Sequence, residues 1–489
     1  MTVAAESKSS RKARAGAAKL SVRMYRQGLG DCFLLTFSSK KGPRYLLIDC
    51  GVITGTDKGK EVMTAVVKDI CTTTRGHLHA VAATHEHWDH VSGFVQAREA
   101  FDDIKQIDEV WLPWTEDPID PLAQKLVEGR RKAVNSLRQA AMKLRAAESA
   151  MAEPLERLLG FSGPLAAGKG QTTAEALEYL RKRVAEPKYC RPGDQLTLPD
   201  VEGVRIYVLG PPVNETLIRK SDPTKKGREV YEMAFAFGMD SAFLTAVDQL
   251  DKRVEDLSVD EAQKRVLTQP FDRALQIPKD EAADQPFFME HYGRPGDTAM
   301  KWRQIEGDWL DSAGALALKL DSDTNNTSLV IAVELVESGQ VLLFTGDAQV
   351  GNWESWSGGS WEIDGRTVKG ADLLARTVLY KVGHHGSHNA TLRAGGLELM
   401  ASKDLTAMIP VDRAIAMAKV PPWNMPFPSL LKRLEQKTSG RILRLDRKLE
   451  DLKANGKPEG VSAALWSRFR PRLRGDEKDE LYVECDFPG

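Results

Sequence analysis

Apolar residues recur along the first part of the chain with the spacings of strands and of one helix. Residues 20–25 alternate apolar and polar side chains, and residues 32–37 and 45–51 are almost continuously apolar. Such short runs are typical of strands, and the glycines and prolines between them predict tight turns and antiparallel neighbours. Apolar positions at 59–71 have helical spacing, and the run 78–83 then predicts a buried strand.

Two long stretches interrupt this pattern. Residues 117–190 and 214–310 are rich in charged and strongly helix-forming residues, whereas 191–212 returns to strand and turn chemistry. The pattern of the core resumes near 311, with a hairpin at 329–347. We therefore predict two mostly helical insertions within a single domain of strands and helices.

Before this domain, residues 1–19 contain several basic residues but no apolar segment after them. This composition excludes a secretory signal and predicts a flexible basic arm. The arm either has no role or contacts nucleic acid. The predicted organisation is thus the arm at 1–19 and an α/β domain at 20–489, with insertions at about 117–190 and 214–310.

The overall charge and the cysteines restrict the setting of the protein. The 68 basic and 69 acidic side chains leave a formal net charge of -1, so there is no global attraction to nucleic acid. Five widely spaced cysteines argue against a disulfide framework and for a reducing compartment. No apolar run approaches the roughly 18–20 residues of a membrane span. These features predict a cytoplasmic protein that does not contact membranes.

Basic side chains recur between residues 125 and 145 of the first insertion. An exposed helix face is the ordinary interpretation. The alternative is a basic lip that guides a polyanion. Aromatic side chains also cluster at Trp353, Trp356 and Trp361. They either stack a base or a sugar or pack against the insertion.

The densest group of candidate metal ligands is the motif Thr-His-Glu-His-Trp-Asp-His at 84–90, directly after the apolar run 78–83. It contains His85, His87, Asp89 and His90. A strand directs every second residue the same way, and a helix every third or fourth. All four side chains can therefore converge only from a loop, and the motif predicts a metal-binding loop at a strand end.

A second group of histidines has the same setting. His-His-Gly-Ser-His at 384–388 follows the apolar run 378–382, and Asp347 follows the second strand of the predicted hairpin. Ligands at several strand ends predict one metal site assembled from distant segments. Imidazole and carboxylate suit zinc, manganese or iron, and spacing alone does not choose among them.

Together these motifs resemble the metallo-β-lactamase superfamily, and within it the ComEC-like branch, named for the hydrolase domain of the DNA-uptake competence channel. The resemblance covers about 20–115, 190–213 and 311–445 and leaves out both insertions. It is carried by His-x-His-x-Asp-His at 85–90, Asp49, Gly-Leu-Gly-Asp-Cys at 28–32, Asn-Asn-Thr-Ser at 325–328, Thr-Gly-Asp at 345–347 and His-His-Gly-Ser at 384–387.

The resemblance implies a four-layer αββα sandwich, in which two mixed sheets lie face to face, helices lie outside and metals bind at one edge. It implies two divalent ions, Zn²⁺ or Mn²⁺. His85 and His87 would bind one ion, Asp89 and His90 the other, and Asp347 would bridge both.

One of His384 and His385 would complete the second site. We favour His384 because it is nearer to the strand end. Asp49 would orient a ligand histidine rather than bind metal itself.

One departure concerns the first ion. Many members of the superfamily supply a third histidine to it, and the only histidine between His90 and Asp347 here is His291, inside an insertion. The family's His-Pro near the C-terminal end is also missing. The first site is therefore predicted to have fewer histidines, a water, or a carboxylate that the sequence does not locate.

The chemistry that the resemblance implies is hydrolysis by a metal-activated water. Either Asp89 or Asp347 would accept the proton of the water. Candidates for stabilising the leaving group are His388 and Lys381, and candidates for holding a phosphate oxygen are Ser387 and Asn325. Pinning of a turn is the alternative role for Asn325.

The leading hypothesis is a metal-dependent phosphodiesterase or nuclease that acts on nucleic acid or nucleotides. One alternative is a hydrolase of a small ester, lactone or lactam, which predicts a narrow apolar pocket covered by the insertions. The other is a metal-stabilised binding or scaffold protein without catalysis, whose insertions recruit a protein partner.

Overall fold

A computed structural model describes residues 19–146, 152–164, 172–220, 284–293, 308–419, 422–447, 461–476 and 481–488, together with positions 277, 281, 282 and 478. Strands and helices alternate through these ranges, so the domain belongs to the α/β class. The strands are β1 (Lys19–Tyr25), β2 (Cys32–Phe37), β3 (Arg44–Cys50), β4 (His77–Ala82), β5 (Gln106–Pro113), β6 (Lys188–Cys190), β7 (Gln195–Leu196), β8 (Val204–Gly210), β9 (Val330–Leu335), β10 (Gln340–Phe344), β11 (Ser360–Ile363), β12 (Arg366–Lys369), β13 (Thr377–Lys381), β14 (Thr406–Ile409), β15 (Ile442–Arg444), β16 (Leu473–Gly475) and β17 (Tyr482–Pro488).

The α-helices are α1 (Gly59–Thr74), α2 (Trp88–Val91), α3 (Gly93–Gln96), α4 (Arg98–Phe101), α5 (Pro121–Ala146), α6 (Ala152–Leu159), α7 (Thr173–Arg181), α8 (Glu215–Ile218), α9 (Pro286–Tyr292), α10 (Asp308–Asn325), α11 (Val350–Ser355), α12 (Gly370–Ala375), α13 (Arg413–Met417), α14 (Pro428–Thr438) and α15 (Ala463–Phe469).

Strands β11 and β12 pair with each other, and the other strands form two large mixed sheets. The eight-stranded sheet has the order β16-β17-β1-β2-β3-β4-β5-β6, and the seven-stranded sheet has the order β15-β14-β13-β10-β9-β8-β7. In the first sheet, β1, β2 and β3 are antiparallel, whereas β3 to β6 are parallel. In the second sheet, β8, β9 and β10 are antiparallel, whereas β10, β13, β14 and β15 are parallel. The predicted antiparallel succession at the start of the domain is therefore confirmed.

The two sheets share one apolar core, because residues of both lie in the same buried cluster. The rings of Phe33 and Phe344, one from each sheet, meet edge to face with their centroids 6.0 Å apart. The other face of the first sheet packs under α1, α3, α4 and α7, through residues such as Val66 and Phe94. The other face of the second sheet packs under α11, α12 and α14, where Trp353 and Trp356 are buried.

The aromatic cluster is thus part of the core. Trp353, Trp356 and Trp361 are all almost fully buried, and the indole N–H of Trp353 donates to the carbonyl oxygens of Ala348 and Ala390. Their burial argues against the alternative in which a base or a sugar stacks on these rings. The three tryptophan rings pack against the second sheet.

The first predicted insertion contains α5, α6 and α7, but its last three residues, Lys188–Cys190, form β6 and pair with β5 in the first sheet. Helices α5, α6 and α10 pack together through a separate apolar cluster that includes Leu137, Leu155 and Leu316. Helix α10 extends beyond the predicted end of the second insertion at 310, and it packs against the helices of the first. Positions 1–18, 221–276 and 294–307 lie outside the described residues.

None of the helices within the described ranges is long and apolar enough to cross a membrane.

Candidate metal centre

Four segments from strand ends of both sheets meet at one buried site. Asp49 is the second-last residue of β3, the 84–90 loop follows β4, Asp347 follows β10, and the 384–388 loop follows β13. Carboxyl ends of parallel strands meet at one edge of a sheet, which explains why segments separated by about 290 residues converge. The predicted assembly of ligands at strand ends is the arrangement observed.

Glycines on the neighbouring turn allow the 84–90 loop to pack tightly. A Cβ atom at Gly51 would lie 2.4 Å from the carbonyl carbon of Asp89, and one at Gly30 would lie 2.7 Å from its carbonyl oxygen. The backbone N–H of Asp31 donates to that same carbonyl at 2.9 Å. The Gly-Leu-Gly-Asp turn at 28–31 therefore holds the loop backbone in place.

One group of candidate ligands comprises Asp89, His90, Asp347 and His385, which can each offer one atom within 4.8 Å of all the others. The Nε2 atom of His385 lies 2.9 Å from Oδ2 of Asp89, and Nε2 of His90 lies 3.2 Å from Oδ2 of Asp347. The Nδ1 atom of His385 faces the carbonyl oxygen of Pro410 at 2.8 Å, which directs Nε2 into the group. All four residues are buried.

The geometry places His385 rather than His384 in this group of candidate ligands. The backbone of both histidines is in the left-handed region, with φ of 43° and 53°, and this turn directs the second side chain back toward Asp89. His384 instead donates its backbone N–H to Oδ1 of Asp347 at 2.8 Å, and its Nδ1 lies 2.9 Å from the hydroxyl of Ser387. Burial lowers the pKa of His384 to about 4.

Asp49 contacts His90, and its role in orienting a ligand histidine stays a prediction. Its Oδ2 lies 2.8 Å from Nδ1 of His90, which leaves Nε2 of His90 directed at the ligand group. The backbone N–H and the hydroxyl of Thr84 both donate to the Asp49 carboxylate at 2.7 Å. Two donors from Thr84 therefore fix the carboxylate that contacts His90.

The donor set fits a divalent cation. Asp89 Oδ1, His90 Nε2 and Asp347 Oδ2 are buried atoms without a hydrogen-bond partner among the described residues. Buried charged groups without partners are costly, and coordination of a metal is one way in which proteins satisfy them. Burial opposes the charge on His90, but the carboxylates of Asp347 and Asp31 raise its pKa well above the usual value. The site thus favours positive charge at its centre.

His85 and His87 form a second pair of candidate ligands. The Nε2 atom of His85 lies 3.0 Å from Nδ1 of His87, and Nδ1 of His85 faces the hydroxyls of Thr84 and Ser328 at 3.1 and 3.3 Å. Burial lowers the pKa of His85 well below its usual value and that of His87 to about 3. Both imidazoles are therefore neutral at pH 7, which is the form that binds metals. His291, on α9, contacts the ring of Phe287.

Lys381 is buried behind this centre. It forms an ion pair with Asp31, donates to the carbonyl oxygen of Gly346 at 2.7 Å and lies 3.3 Å from Oδ1 of Asp347. These contacts favour a positioning role over a role at a leaving group. Sequence reasoning missed Asp31, although it belongs to the quoted Gly-Leu-Gly-Asp-Cys motif. Burial raises the pKa of Asp31 to about 6.

The two candidates for phosphate binding hydrogen-bond to protein groups. The Ser387 hydroxyl donates to Oδ1 of Asn389 at 3.0 Å, and the Asn325 amide donates to Oδ2 of Asp321 at 3.2 Å. His388, the second leaving-group candidate, lies with its ring centroid 6.0 Å from that of Phe427. Asp321, the residue that Asn325 contacts, carries a carboxylate that no sequence motif indicated.

That carboxylate, Asp321 on α10, faces Nε2 of His87, the ring nitrogen opposite the Nδ1 that approaches His85. Its Oδ1 lies 3.8 Å from Nε2 of His87 and has no hydrogen-bond partner among the described residues. Burial, followed by the charges of Asp89 and Asp347, raises the pKa of Asp321 well above its usual value. The one available sequence signal was its position four residues before Asn325, which allows the two side chains to meet on a helix.

Aromatic rings lie beside the histidines. Phe161, from the first insertion, has its ring centroid 5.6 Å from that of His87 and 6.4 Å from that of His384. The Phe161 ring also stacks on Trp423, with centroids 5.3 Å apart and planes inclined by 16°. Lys419 Nζ lies 5.4 Å from the centroid of the Trp423 ring. The insertion therefore forms an apolar wall next to the site.

Several basic side chains of the first insertion pair with carboxylates rather than forming an uncompensated lip. Arg130 is ion-paired with Glu86 of the 84–90 loop and with Glu116. Lys125 pairs with Glu215, and Arg145 pairs with Glu156. The contact with Glu86 attaches α5 directly to the 84–90 loop.

A scan against models of protein families and a search among curated proteins each found no match.

Proposed function

We propose that the protein is a metal-dependent hydrolase of the ComEC-like metallo-β-lactamase type, with a four-layer αββα sandwich, and that it cleaves phosphodiester bonds in nucleic acid or nucleotides. The observation that carries this proposal is the convergence of Asp89, His90, Asp347 and His385, with unpartnered buried atoms facing one another. The shared core of the two sheets and the helices on their outer faces support the fold assignment.

Two divalent ions, Zn²⁺ or Mn²⁺, would be held by this donor set. His85 and His87 would serve one ion, Asp89, His90 and His385 the other, and Asp347 both. When bound, such ions lower the pKa of a coordinated water to near 7 and stabilise negative charge on substrate oxygens.

The remaining roles belong to side chains of the chain itself. Asp49 and the Pro410 carbonyl fix the rings of His90 and His385, so that each directs Nε2 inward. The Oδ1 atom of Asp89 has no partner among the described residues, and we assign it as the acceptor of the proton from the attacking water. Lys381 compensates the charges of Asp31 and Asp347.

The choice of a phosphodiester rests on the resemblance to the ComEC-like branch. A second candidate, hydrolysis of a small ester, lactone or lactam, is favoured by the apolar wall of Phe161 and Trp423 and by the ion-paired state of Arg130. Both features suit a narrow pocket better than an open basic groove.

A substrate panel separates the candidates. Protein loaded with Zn²⁺ or Mn²⁺ would be incubated with single- and double-stranded DNA, RNA, cyclic dinucleotides, and simple esters, lactones and lactams. We expect phosphodiester cleavage that falls about 10²-fold or more in Asp89→Asn, since that variant loses its proton acceptor.

Turnover of only the small substrates would select the second candidate. No turnover of any substrate, with metal confirmed bound, would contradict both and favour a binding or scaffold protein. The Asp89→Asn variant must retain its circular dichroism spectrum for the comparison to hold.

A further inference from the structure

A cavity of about 240 Å³ lies at one edge of the seven-stranded sheet. Its wall includes Gln340 at the first position of β10, and Asp404 and Arg441, which lie shortly before β14 and β15. Strands β10, β13, β14 and β15 are parallel, so their amino ends share one edge of the sheet. Asp347 and the 384–388 loop follow the carboxyl ends of β10 and β13. The cavity therefore lies at the edge opposite to the candidate metal centre.

Three arginines line the cavity, namely Arg441, Arg468 and Arg472. Arg468 lies in the last turn of α15, and Arg472 lies in the short 3₁₀ turn that follows this helix. Helix α15 is fixed beside this edge because Trp466 and Phe469 are buried in the core that the two sheets share. The helix thus places two arginines next to the one that precedes β15.

Backbone carbonyls fix two of these side chains. Arg441 is only 3% exposed, and its Nε donates to the carbonyl oxygen of Leu405 at 3.1 Å. Its Nη2 donates to the carbonyl oxygen of Lys403. The Nε atom of Arg472 donates to the carbonyl oxygen of Asp486 at 2.6 Å. These contacts orient the guanidinium groups, but a carbonyl oxygen has no net charge with which to neutralise them.

Positive charge in the cavity exceeds negative charge. Among the described residues, none of the three arginines forms an ion pair with a carboxylate, and Asp404 is the one acidic residue described in the wall. Burial lowers the pKa of Arg441 below its usual range. The Asp404 carboxylate opposes that shift in pKa, whereas the charges of Arg472 and Arg468 add to it. Arg441 is thus close enough to both other arginines to be repelled by them.

Arg474 provides a comparison within the same part of the chain. Its guanidinium group pairs with the carboxylates of Glu484 and Asp486. The arginines of the cavity lack such partners among the described residues, and a planar guanidinium group binds a phosphate through two parallel hydrogen bonds. The volume of about 240 Å³ is below the roughly 300–1,000 Å³ of pockets that enclose drug-sized ligands. The cavity therefore suits one small anionic group.

We propose that Arg441, Arg468 and Arg472 form a binding site for a phosphate group. The ligand is either free inorganic phosphate or the phosphate end of a larger molecule, such as a nucleotide, whose remainder extends into solvent. The site does not depend on the proposed function, because it lies at the other edge of the sheet and uses none of the candidate metal ligands.

Calorimetric titration tests this proposal, with inorganic phosphate and AMP as probes at constant ionic strength. The full-length wild type would be compared with Arg468→Gln, Arg470→Gln and Asp347→Asn. Arg470 is the matched control, since it is exposed near the same helix end but does not line the cavity. We expect the wild type to bind a phosphate group with a Kd of about 1 mM or below. Arg468→Gln should weaken this binding about 10-fold or more, since a hydrogen bond from a charged group is lost. Arg470→Gln and Asp347→Asn should change it less than about 2-fold, since their charges are distant and screened.

Tighter binding of AMP than of inorganic phosphate would identify a phosphorylated molecule as the ligand, and equal or weaker binding would identify free phosphate. Equal affinities of Arg468→Gln and Arg470→Gln, or no measurable binding by the wild type, would overturn the proposal and leave the proposed function untouched. Loss of binding in Asp347→Asn alone would assign the phosphate to the metal centre and likewise overturn it.

Should Arg468→Gln fail to fold, a structure of the wild type with phosphate decides the matter. Phosphate oxygens should then lie within about 3 Å of the guanidinium groups of Arg468 and Arg472. A cavity without phosphate in that structure would overturn the proposal.

Discussion

At the scale of single residues, the candidate centre depends on groups that fix the orientation of its histidine rings. Asp49 contacts Nδ1 of His90 at 2.8 Å and is itself held by two donors from Thr84. His385 is aimed in the same way by a backbone carbonyl. Partners of this kind fix the ring orientation and tautomer of a ligand histidine.

Replacing Asp49 with Asn should weaken metal binding about 10–100-fold, since His90 loses a charged acceptor and its ring is no longer fixed. Zinc affinity by chelator competition measures this. Asp372→Asn is the control, since Asp372 also accepts a backbone N–H but lies at the start of α12 on the surface. Equal affinities for the two variants would argue against the orienting role.

A pH effect follows from His79, which is buried on β4 and accepts the backbone N–H of Tyr45 through Nδ1 at 3.1 Å. Burial, and then the neighbouring His77, lower the pKa of His79 to about 4. The unfolded chain takes up a proton here near pH 6.5, but the folded chain does so only near pH 4. The free energy of unfolding should therefore fall as pH decreases from about 6.5 to about 4.

His79→Asn retains an acceptor for Tyr45 but does not titrate in this range. Its loss of stability between pH 7 and pH 4 should be smaller than that of the wild type by roughly 2–3 kcal/mol. Urea unfolding of both proteins at the two pH values, in the presence of a chelator, measures the difference. Parallel pH profiles would show that His79 is not responsible.

At the scale of elements, the turn at 28–31 and the end of β3 hold the 84–90 loop through backbone contacts. These contacts leave no room for a side chain at the glycines. Gly51 is the tightest of these positions, since an added Cβ would overlap the backbone of Asp89 and His90. Gly59, at the start of α1, has room, because its nearest neighbour would be a side-chain atom at 3.5 Å.

Gly51→Ala should therefore displace the loop, destabilise the fold by about 1–3 kcal/mol and weaken metal binding. Gly59→Ala should change neither property appreciably. Thermal unfolding and zinc titration of the two variants provide the test. Wild-type metal affinity in Gly51→Ala would mean that the loop backbone does not determine the positions of its ligands.

Helix α5 contacts the 84–90 loop through an ion pair. Arg130 pairs with Glu86 and Glu116, and the latter also contacts Arg181. Removing one partner of a buried network leaves the other charges uncompensated, so Arg130→Met should cost about 3–5 kcal/mol of unfolding free energy. Arg131→Met, at the neighbouring exposed position, is the control. Similar urea midpoints for both variants would contradict this role of the pair.

At the scale of the whole molecule, apolar patterning predicted the strand-rich parts well. The first three strands, α1 and the strands before each histidine cluster were predicted to within a few residues. Such runs are buried on one or both faces, so their pattern is set locally. The short strand β6 was not predicted and was assigned to the first helical insertion. Three residues are too few to show the alternation of a strand.

The centre was only partly predictable for a related reason. Asp49, the 84–90 loop and Asp347 each follow an apolar strand, so their positions are encoded nearby. The choice of His385 depends on the backbone turn at 384–385, and the position of Asp321 depends on how α10 packs in three dimensions.

The proposed function requires this buried set of histidines and aspartates to bind two divalent ions. Metal analysis of purified, Zn²⁺-loaded and dialysed protein tests it most directly, with Asp347→Asn alongside. We predict about two ions per chain in the wild type and a clear loss in Asp347→Asn, since Asp347 Oδ2 faces His90 without another partner among the described residues. A wild type without bound zinc, or an Asp347→Asn variant that retains both ions, would contradict the claim.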